Sequence, residues 1–497
     1  MIAPLSPQLL VPLALGLPLA GAVLIVLFGR IAFLRELATL ATGVALVTVI
    51  AQLVHGVAQG MVLDFTLVEM LPDLPLRFTP EPLGALFAAL ASALWLLNSV
   101  FSIGYMRGTN GESQTRFYFC FAIAIAATMA IALAGNMLTL FVAYELLTLS
   151  TFPLLTHNGT NEARAAGRVY LGYLLGTSIG LLLLAMVWTW LVAGTLDFTK
   201  GGILADRVDG RMLPFLLALY VFGTGKAALM PVHRWLPAAM VAPTPVSAFL
   251  HAVAVVKAGV FTILKVVVYI FGLDLLSQTG ASKWLIWAAA FTIIAGGLIA
   301  MSKDDLKARL AYSTVAQLGY VVLGAALATP LGVLGGALQM AAHAVAKITL
   351  FMCAGAIDVA HGETKVSALD GLGRKMPVTF TAFFIAALSI IGLPPLVGFW
   401  SKWHLLLAAT DAGMGVAIVA LVASSIISVG YLMPVVARAF FRPPEAHPAP
   451  ASAGVSADRV DQAPFACIFP LVLTALATLA LFFARDAIVA FIQPVFQ

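Results

Sequence analysis

The chain has 497 residues, of which 62% are hydrophobic and only 10% are charged, and its net charge is +5. Soluble domains carry about 25% charged residues, so this composition excludes a soluble protein and indicates an integral membrane protein. The three cysteines, Cys120, Cys353 and Cys467, lie far apart in apolar runs, and the sequence has no glycine-rich nucleotide-binding motif. We therefore expect no iron–sulfur cluster, metal site or other cofactor on this chain.

Apolar runs long enough to cross a bilayer recur along the whole sequence. A transmembrane helix needs about 20 mostly apolar residues, and the sequence predicts fourteen such spans. They are residues 8–28, 34–57, 82–104, 116–135, 137–156, 166–194, 213–234, 244–272, 284–302, 306–328, 332–357, 377–409, 413–437 and 464–490. The separation of spans four and five rests on Gly135-Asn136 alone. The first run lacks a basic segment and a cleavage site, so we expect it to be a retained span and not a signal peptide.

The distribution of Lys and Arg predicts the orientation of the chain. Sixteen of these residues lie in the connections after odd-numbered spans, against six on the opposite side. Because cytoplasmic loops are enriched in Lys and Arg, both termini are expected outside the cytoplasm, in a multi-pass protein of the cell inner (plasma) membrane. This topology explains the excess of cations, and no nucleic-acid partner is expected.

Sorting the charges by position leaves five lysines and one acid inside the predicted spans. They are Lys226, Lys257, Lys265, Lys347, Lys402 and Glu145. A charge at the bilayer centre costs at least about 2.5–3.5 kcal/mol. For Lys265 and Lys347, snorkelling to the interface or a structural role is an alternative explanation. For the others, the alternatives are structural pairing and a buried relay of ionisable groups connected by water.

These residue types suit a proton as the transported ion. Desolvation lowers the pKa of a lysine and raises that of a carboxylate, and an opposite charge nearby reverses both shifts. A buried lysine with a movable carboxylate neighbour can therefore exchange a proton near neutral pH. His251 and His343 also titrate in this range, although a lone intramembrane histidine can serve only as a hydrogen-bonding group. His343 and Lys347 share a helix face at i, i+4, whereas His251 and Lys257 do not.

Prolines accompany an intramembrane lysine in the seventh, eighth and twelfth predicted spans. They are Pro231 and Pro237, Pro243 and Pro245, and Pro394 and Pro395, respectively. Proline removes a backbone donor and frees carbonyl groups, which a membrane protein tolerates only where protein or a wet cavity satisfies them. We therefore predict that these three helices are broken. Broken helices in corresponding halves of a chain indicate an ion path between inverted repeats, and with a five-span repeat Lys226 corresponds to Lys402.

This repeat predicts the domain organisation, and no soluble domain is expected. Its parts are an N-terminal three-helix segment at 1–110, a first five-helix repeat at 111–275, a second, inverted repeat at 276–440, a cytoplasmic linker at 441–463 and a C-terminal helix at 464–497. The linker is rich in Pro and Ala and has no periodicity. The polar stretch 195–212 is expected to form a short surface helix or a loop outside.

Five sequence stretches resemble the antiporter-like subunits shared by Mrp-type multisubunit sodium/proton antiporters, respiratory complex I and membrane-bound hydrogenases. The most specific is KAALMPVHRWLPAAMVAPTPVSAFLHAVAVVKAG at residues 226–259. The others are YELLTLSTFPL at 144–154, SKDDLKARLAYSTVAQLGY at 302–320, AAHAVAKITLF at 341–351 and GLPPLVGFWSKW at 392–403. The resemblance covers about residues 80–440. It implies an all-α polytopic fold of about fourteen helices with two inverted five-helix repeats.

The resemblance also implies roles for individual residues. Glu145 matches the glutamate of the fifth helix, and Lys226 matches its lysine partner on the seventh. Lys257, His343 and Lys402 match the ionisable residues of the eighth, eleventh and twelfth helices. The polar stretch at 303–309 is expected to begin the tenth helix and to fix its position. A lysine at position 402 makes the chain most similar to the D-type subunit of the Mrp antiporters.

We expect an ion-translocating subunit that moves protons along a Glu–Lys–Lys/His–Lys axis, within a Na⁺/H⁺ antiporter. Its partners would be other membrane subunits, the lipid bilayer, protons and Na⁺. One alternative is a proton-pumping subunit of an NADH-quinone oxidoreductase or a hydrogenase, which flavin or iron–sulfur absorbance in the purified complex would reveal. Another is a non-transporting scaffold. A lone transporter of an organic solute is disfavoured, because no substrate-sized cluster of aromatic and polar residues is present.

The predicted topology can be tested by labelling introduced cysteines. Because of the Lys and Arg asymmetry, cysteines at Gly362 and Ser452 should react only from the cytoplasmic side. Cysteines at Gly202 and Gln278 should react only from the outside. Labelling of position 452 from the outside would overturn the helix count.

Overall fold

The structure, a computed structural model, describes residues 5–72, 74–443 and 462–496. In its first half the helices and strands are α1 Pro7–Leu27, α2 Ala32–Ala58, β1 Phe65–Leu71, β2 Leu74–Phe78, α3 Pro82–Gly108, α4 Gln114–Ala132, α5 Met137–Leu155, α6 Asn161–Thr177, α7 Leu183–Ala193, α8 Leu213–Gly223, α9 Trp235–Ala238, α10 Thr244–Ala252 and α11 Val255–Lys265. In its second half they are α12 Leu273–Thr279, α13 Lys283–Ser302, α14 Leu306–Ala326, α15 Pro330–His361, α16 Leu372–Lys375, α17 Pro377–Ile391, α18 Gly398–Asp411, α19 Gly415–Phe441, α20 Phe465–Phe483 and α21 Arg485–Ile492. The predicted linker at 441–463 lies mostly outside the described residues.

The helices have the length and composition of membrane spans. Among the described residues, eleven helices are long and apolar enough to cross a bilayer, and α8 and α17 are shorter apolar helices. Thirteen of the fourteen predicted runs coincide with one of these helices, and the tenth, 306–328, coincides with α14 Leu306–Ala326, which is not among them. The prediction of a multi-pass helical membrane protein is therefore confirmed, while the count of fourteen crossings stays a prediction.

The three predicted helix interruptions are present. In the seventh run, α8 ends at Gly223 and gives way to a 3₁₀ turn, Gly225–Ala227, followed by irregular chain up to α9. In the twelfth run, α17 ends at Ile391 and is followed by Gly392, whose φ of +93° suits glycine because it has no Cβ. Pro394 and Pro395 lie in the connection before α18. The freed backbone groups of these interruptions are available to other side chains.

The interruption in the eighth run lies later than its prolines. Pro243 caps α10 and Pro245 lies in the first turn of that helix. A first-turn residue needs no intrahelical donor, so proline is tolerated there without breaking the helix. The helix instead breaks between α10 and α11, at Val253 and Ala254. The prolines therefore mark the start of α10, and the break lies after the last residue of that helix.

A β-hairpin that the sequence analysis did not predict connects α2 to α3. Strands β1 and β2 pair antiparallel, with Phe65 opposite Phe78. Arg77 of β2 lies between Asp64 and Asp197, at 3.6 and 3.5 Å. The stretch 195–212 forms turns and irregular chain and no helix, which decides between the two predicted alternatives. The hairpin and this loop together cover one end of the helix bundle.

The polar stretch at residues 303–309 fixes the start of α14, as predicted. Asp305 caps the helix by accepting a hydrogen bond of 2.7 Å from the backbone N–H of Ala308. The guanidinium of Arg309 donates to the carbonyls of Lys303 and Tyr431, at 2.8 and 3.2 Å. These contacts fix α14 against α19.

One intramembrane lysine forms a buried ion pair that the sequence analysis missed. Lys265 is 1% exposed, which excludes snorkelling, and its Nζ lies 3.0 Å from Glu81. The same carboxylate accepts a 2.8 Å hydrogen bond from Tyr269 and caps the first turn of α3. The charge sorting had left Glu145 as the single intramembrane acid. Sorting the charges by position does not identify Glu81, because this residue lies at the very start of an apolar run, directly before Pro82.

Breaking the Lys265–Glu81 pair should destabilise the protein. Lys265→Met leaves a carboxylate without its cation, and removing one partner of a buried pair costs about 3–5 kcal/mol. Thermal unfolding of the purified protein should show a lower midpoint, which Lys265→Met combined with Glu81→Gln should largely restore. Lys283→Met, which makes the same change at an exposed lysine at the start of α13, is the control and should change stability by about 0.5 kcal/mol or less. Equal midpoints for Lys265→Met and this control would contradict a structural role for the pair.

Candidate functional site

Lys226 lies in the interruption after α8 and is fully buried. Its ammonium donates to the backbone carbonyl of Tyr144 and to the hydroxyl of Thr148 on α5, at 2.8 and 2.6 Å. It also lies 3.0 Å from the centroid of the Tyr144 ring. The backbone N–H of Lys226 donates to the Tyr144 hydroxyl at 3.0 Å. One turn of α5 therefore supplies the whole polar environment of this lysine.

Glycines allow the neighbouring helices to approach the Lys226 turn closely. A Cβ on Gly259 of α11 would lie 2.3 Å from the carbonyl carbon of Lys226, and one on Gly225 would lie 2.3 Å from Thr177. Any larger residue at either position would push the two elements apart. Through Gly259, the turn that carries Lys226 packs directly on the helix that carries Lys257.

Glu145 lies on α5 directly after Tyr144 and is half-buried. It is close enough to Lys226 to interact with it electrostatically, but the two form no direct ion pair. Neither carboxylate oxygen has a hydrogen-bond partner among the described residues. The predicted Glu145–Lys226 pairing is therefore a proximity of charges, and the lysine itself is held by uncharged groups.

Lys257 and His343 meet across two helices. The Nζ of Lys257 lies 2.5 Å from Nδ1 of His343 on α15, and both side chains are 1% exposed. The backbone of His251 belongs to α10, but its side chain is outside the part of the chain that the structure describes. The structure thus joins the lysine of the eighth run to the histidine of the eleventh run, 86 residues apart in sequence.

Lys347 lies one turn after His343 on α15 and is fully buried, which excludes snorkelling. Its Nζ donates to the hydroxyl of Ser313 at 2.7 Å and to the carbonyl of Leu310 at 3.2 Å, both on α14. Lys257 is near enough to Lys347 for electrostatic interaction. Lys257, His343 and Lys347 therefore form one polar cluster in the middle of the chain.

Lys402 lies in the first turns of α18, after the interruption of the twelfth run. Its Nζ donates to the carbonyl of Ile391 at 2.8 Å and to the hydroxyl of Ser425 on α19 at 2.9 Å. Ile391 is the last residue of α17, so the broken helix supplies one of the two acceptors. The side chain is half-buried and lines a groove of about 290 Å³ whose other walls are mostly apolar.

Four of the five intramembrane lysines therefore share one kind of environment. Lys226, Lys257, Lys347 and Lys402 contact carbonyl, hydroxyl or imidazole groups, and within the described residues none of them forms an ion pair with a carboxylate. Desolvation disfavours a charged ammonium, while the hydrogen bonds favour it. An amine in such surroundings can hold a proton or release it.

The residues that surround the lysines were not predicted from the sequence. Tyr144 and Thr148 lie four residues apart, on the same face of α5. Ser425 is likewise a polar residue inside an apolar helix, α19. The available signal was a polar residue repeated at helical spacing inside an apolar run. Within the described residues, no three His, Cys, Asp or Glu side chains converge as a metal site requires.

Comparison with known proteins identifies the family. Residues 134–428 match the family described as "NADH:quinone oxidoreductase/Mrp antiporter, TM". The N subunit of the NADH-quinone oxidoreductase of Desulforudis audaxviator is 33% identical over 376 residues, which cover 75% of this chain and 74% of that protein. The A/B component of a probable K⁺/H⁺ antiporter of Rhizobium meliloti is 32% identical over 71% of this chain. The chain spans only 35% of that second relative, and about half of several others.

A solved structure has the same fold. The Mrp complex of a Dietzia species contains a chain that matches 99% of this one, and 99% of its own length, with a TM-score of 0.85 at 23% identity. At this identity the match establishes the fold alone. The matched segment, residues 134–428, contains the interruptions of the seventh, eighth and twelfth runs and the lysines that follow or border them. The predicted resemblance is confirmed at the level of the family: the chain belongs to the transmembrane subunits of the NADH:quinone oxidoreductase/Mrp antiporter family.

Proposed function

We propose that this chain is a proton-translocating subunit of a multisubunit membrane complex that exchanges a monovalent cation, Na⁺, for protons. The observation that carries the proposal is the series of intramembrane lysines, from Lys226 through Lys257 and Lys347 to Lys402, each held by uncharged polar groups. Lysine suits this task because its ammonium can deprotonate in an apolar environment, whereas an arginine stays charged.

The proposed path has two halves. The first consists of Glu145, Lys226 and the Lys257–His343 contact, and the second of Lys347 and Lys402. Lys226 and Lys402 each follow or border a helix interruption and each donate to a backbone carbonyl. This likeness supports the two five-helix repeats at 111–275 and 276–440, in which these two lysines occupy corresponding positions. His251, on α10 just before the break, is proposed to belong to the first half.

The partners in this proposal are other membrane subunits. Two solved structures of similar fold are a Mrp complex and an archaeal membrane-bound sulfane sulfur reductase complex, and both are multisubunit assemblies. We place the chain in the cell inner (plasma) membrane with both termini outside the cytoplasm, on the Lys and Arg distribution. Lys402 favours a D-type subunit of the Mrp kind.

The second candidate function is proton pumping in a redox complex, which the likeness to an NADH-quinone oxidoreductase subunit favours. The same lysines would serve both functions, so the identity of the partner subunits distinguishes antiport from redox-driven pumping. The test is to purify the assembled complex, record its absorbance and impose a Na⁺ gradient on vesicles that contain it. Antiport predicts a pH change driven by Na⁺ and no flavin or iron–sulfur absorbance. Absorbance of either group without a Na⁺-driven pH change would support redox pumping instead.

Neutralising Glu145 should reduce transport. Glu145→Gln keeps the shape but removes the negative charge that favours a protonated Lys226, and about 1.4 kcal/mol of lost interaction shifts protonation tenfold. We expect transport at least about tenfold lower for Gln, and partly retained for Glu145→Asp, which keeps the charge. The measurement is the pH gradient in vesicles, with assembly checked on the same preparation. Glu162→Gln, an exposed glutamate on α6, is the control. Wild-type transport by an assembled Glu145→Gln variant would rule out the charge coupling.

Lys402 should be required as a group that can lose its proton. Lys402→Ala is expected to abolish transport while the complex still assembles. Lys402→Arg should fail as well, because a guanidinium does not deprotonate in proteins. The assay is again proton movement in vesicles, with Lys283→Ala, an exposed lysine at the start of α13, as the matched control. Full transport by Lys402→Arg would exclude proton exchange at this position.

A further inference from the structure

A chain of hydroxyl groups begins at Lys347 and leads away from it through the second half of the molecule. Lys347 donates to Ser313, and Ser313 donates to the hydroxyl of Tyr431 on α19 at 2.8 Å. The Tyr431 hydroxyl lies 3.0 Å from the hydroxyl of Ser428. Lys347, Ser313, Tyr431 and Ser428 are each at most 1% exposed. The groups therefore form a buried hydrogen-bonded series that crosses from α15 through α14 to α19.

Counting hydrogens gives this series one direction. Each hydroxyl has one hydrogen to donate. Ser428 uses its hydrogen on the backbone carbonyl of Ser424, at 2.8 Å, so Tyr431 is the donor to Ser428. Since Ser313 donates to Tyr431, every donor from the Lys347 ammonium onwards points the same way. A series with aligned donors is the arrangement in which a proton can pass from group to group.

The far end of the series approaches Lys402. Ser425, one turn of α19 from Ser428, accepts the hydrogen bond from the Lys402 ammonium at 2.9 Å. Tyr320 of α14 completes this region, since its hydroxyl faces Ser425 and its ring centroid lies 5.1 Å from the Lys402 Nζ. Ser425 and Ser428 lie three residues apart on α19, a spacing that puts Cβ atoms about 5–6 Å apart, and one water molecule can bridge two hydroxyl groups at such a separation.

We propose that Ser313, Tyr431, Ser428 and Ser425 form a hydroxyl bridge that carries protons between Lys347 and Lys402. The proposal deepens the proposed function and rests on it. It assigns a transport role to α14 and α19.

The proposed transfer conserves every proton. The Lys347 ammonium loses one N–H proton to Ser313 while Ser313 passes its own to Tyr431, and Tyr431 passes its own to Ser428. The Ser428 hydroxyl turns from the Ser424 carbonyl towards the bridging water and gives it a proton. The water passes one of its own protons to Ser425, whose O–H turns from the Leu421 carbonyl towards the neutral amine of Lys402 and delivers its proton there. Lys347 ends as a neutral amine and Lys402 as an ammonium, while each hydroxyl still has one O–H bond. The hydroxyls then rotate back before the next proton.

A purely structural explanation of the same contacts is that they hold α14, α15 and α19 together. Other contacts already do this. Gln339 of α15 donates to Gln317 of α14 at 2.7 Å, and Arg309 of α14 donates to the backbone carbonyl of Tyr431 on α19 at 3.2 Å. Neither contact uses a hydroxyl group of the bridge. The two explanations differ in what removal of one hydroxyl does to transport at equal stability.

The test compares two matched variants in the assembled complex. Tyr431→Phe removes the central hydroxyl of the bridge and keeps the ring. Tyr220→Phe removes an equally buried hydroxyl, paired with Thr189 at 2.8 Å, from a part of the protein away from the bridge. Thermal unfolding should show similar midpoints for the two variants. Proton transport in vesicles should fall about a hundredfold in Tyr431→Phe, the lower end of what a positioned proton-transfer group contributes, and stay unchanged in Tyr220→Phe.

Two further variants, together with Lys402→Ala, distinguish failure of the bridge from failure of the proposed function. Ser428→Ala should lower transport like Tyr431→Phe, and the double variant should be no worse than either, because groups in series are lost together. Losses that add up would indicate a structural role and overturn the bridge. If Lys402→Ala abolishes transport while Tyr431→Phe transports like Tyr220→Phe, the bridge is wrong and the proposed function stands. If Lys402→Ala transports normally, the proposed function itself is wrong.

Discussion

The structure depends on one constraint: an ammonium group inside a membrane needs hydrogen-bond acceptors, and here almost none of them is a carboxylate. An unpaired charge in hydrocarbon costs several kcal/mol. Lys226 and Lys402 meet this cost with carbonyls from Tyr144 and Ile391 and hydroxyls from Thr148 and Ser425. A carboxylate in the same place would fix the charge. Uncharged acceptors leave the lysine free to change its protonation state, which a transport site requires.

The ion pair between Lys265 and Glu81 shows how a lysine with a carboxylate partner differs from the lysines with uncharged partners. Lys265 is as deeply buried as Lys257, but a carboxylate lies 3.0 Å from its Nζ and a tyrosine supports that carboxylate. Such a pair stabilises a fixed charge and joins α3 to α11. The same residue type therefore serves structure at Lys265 and, in the proposed function, transport at the other four lysines, and the partner group distinguishes the two.

Much of the fold and of the site could be predicted from the sequence, because apolar runs and intramembrane lysines are strong local signals. Lys226 and Lys402 were recognised because they follow or precede prolines at membrane depth. The contact between Lys257 and His343 could not be derived from spacing, since it joins helices that are far apart in sequence. Pro243 and Pro245 illustrate another limit: a proline in a first helical turn looks in sequence like one that breaks a helix. Hydroxyl groups such as Tyr431 went unnoticed because single polar residues in apolar helices are common and mostly bond to their own backbone.

The central claim is that the lysines form one connected path. The most direct test is a map of the assembled complex at a resolution that shows ordered waters. The account predicts waters that join Glu145 to Lys226, Lys226 to the Lys257–His343 contact, this contact to Lys347, and Ser428 to Ser425. Hydrogen bonds would then run without interruption from Glu145 to Lys402. Apolar side chains packed between these groups, with no water and no room for one, would contradict it.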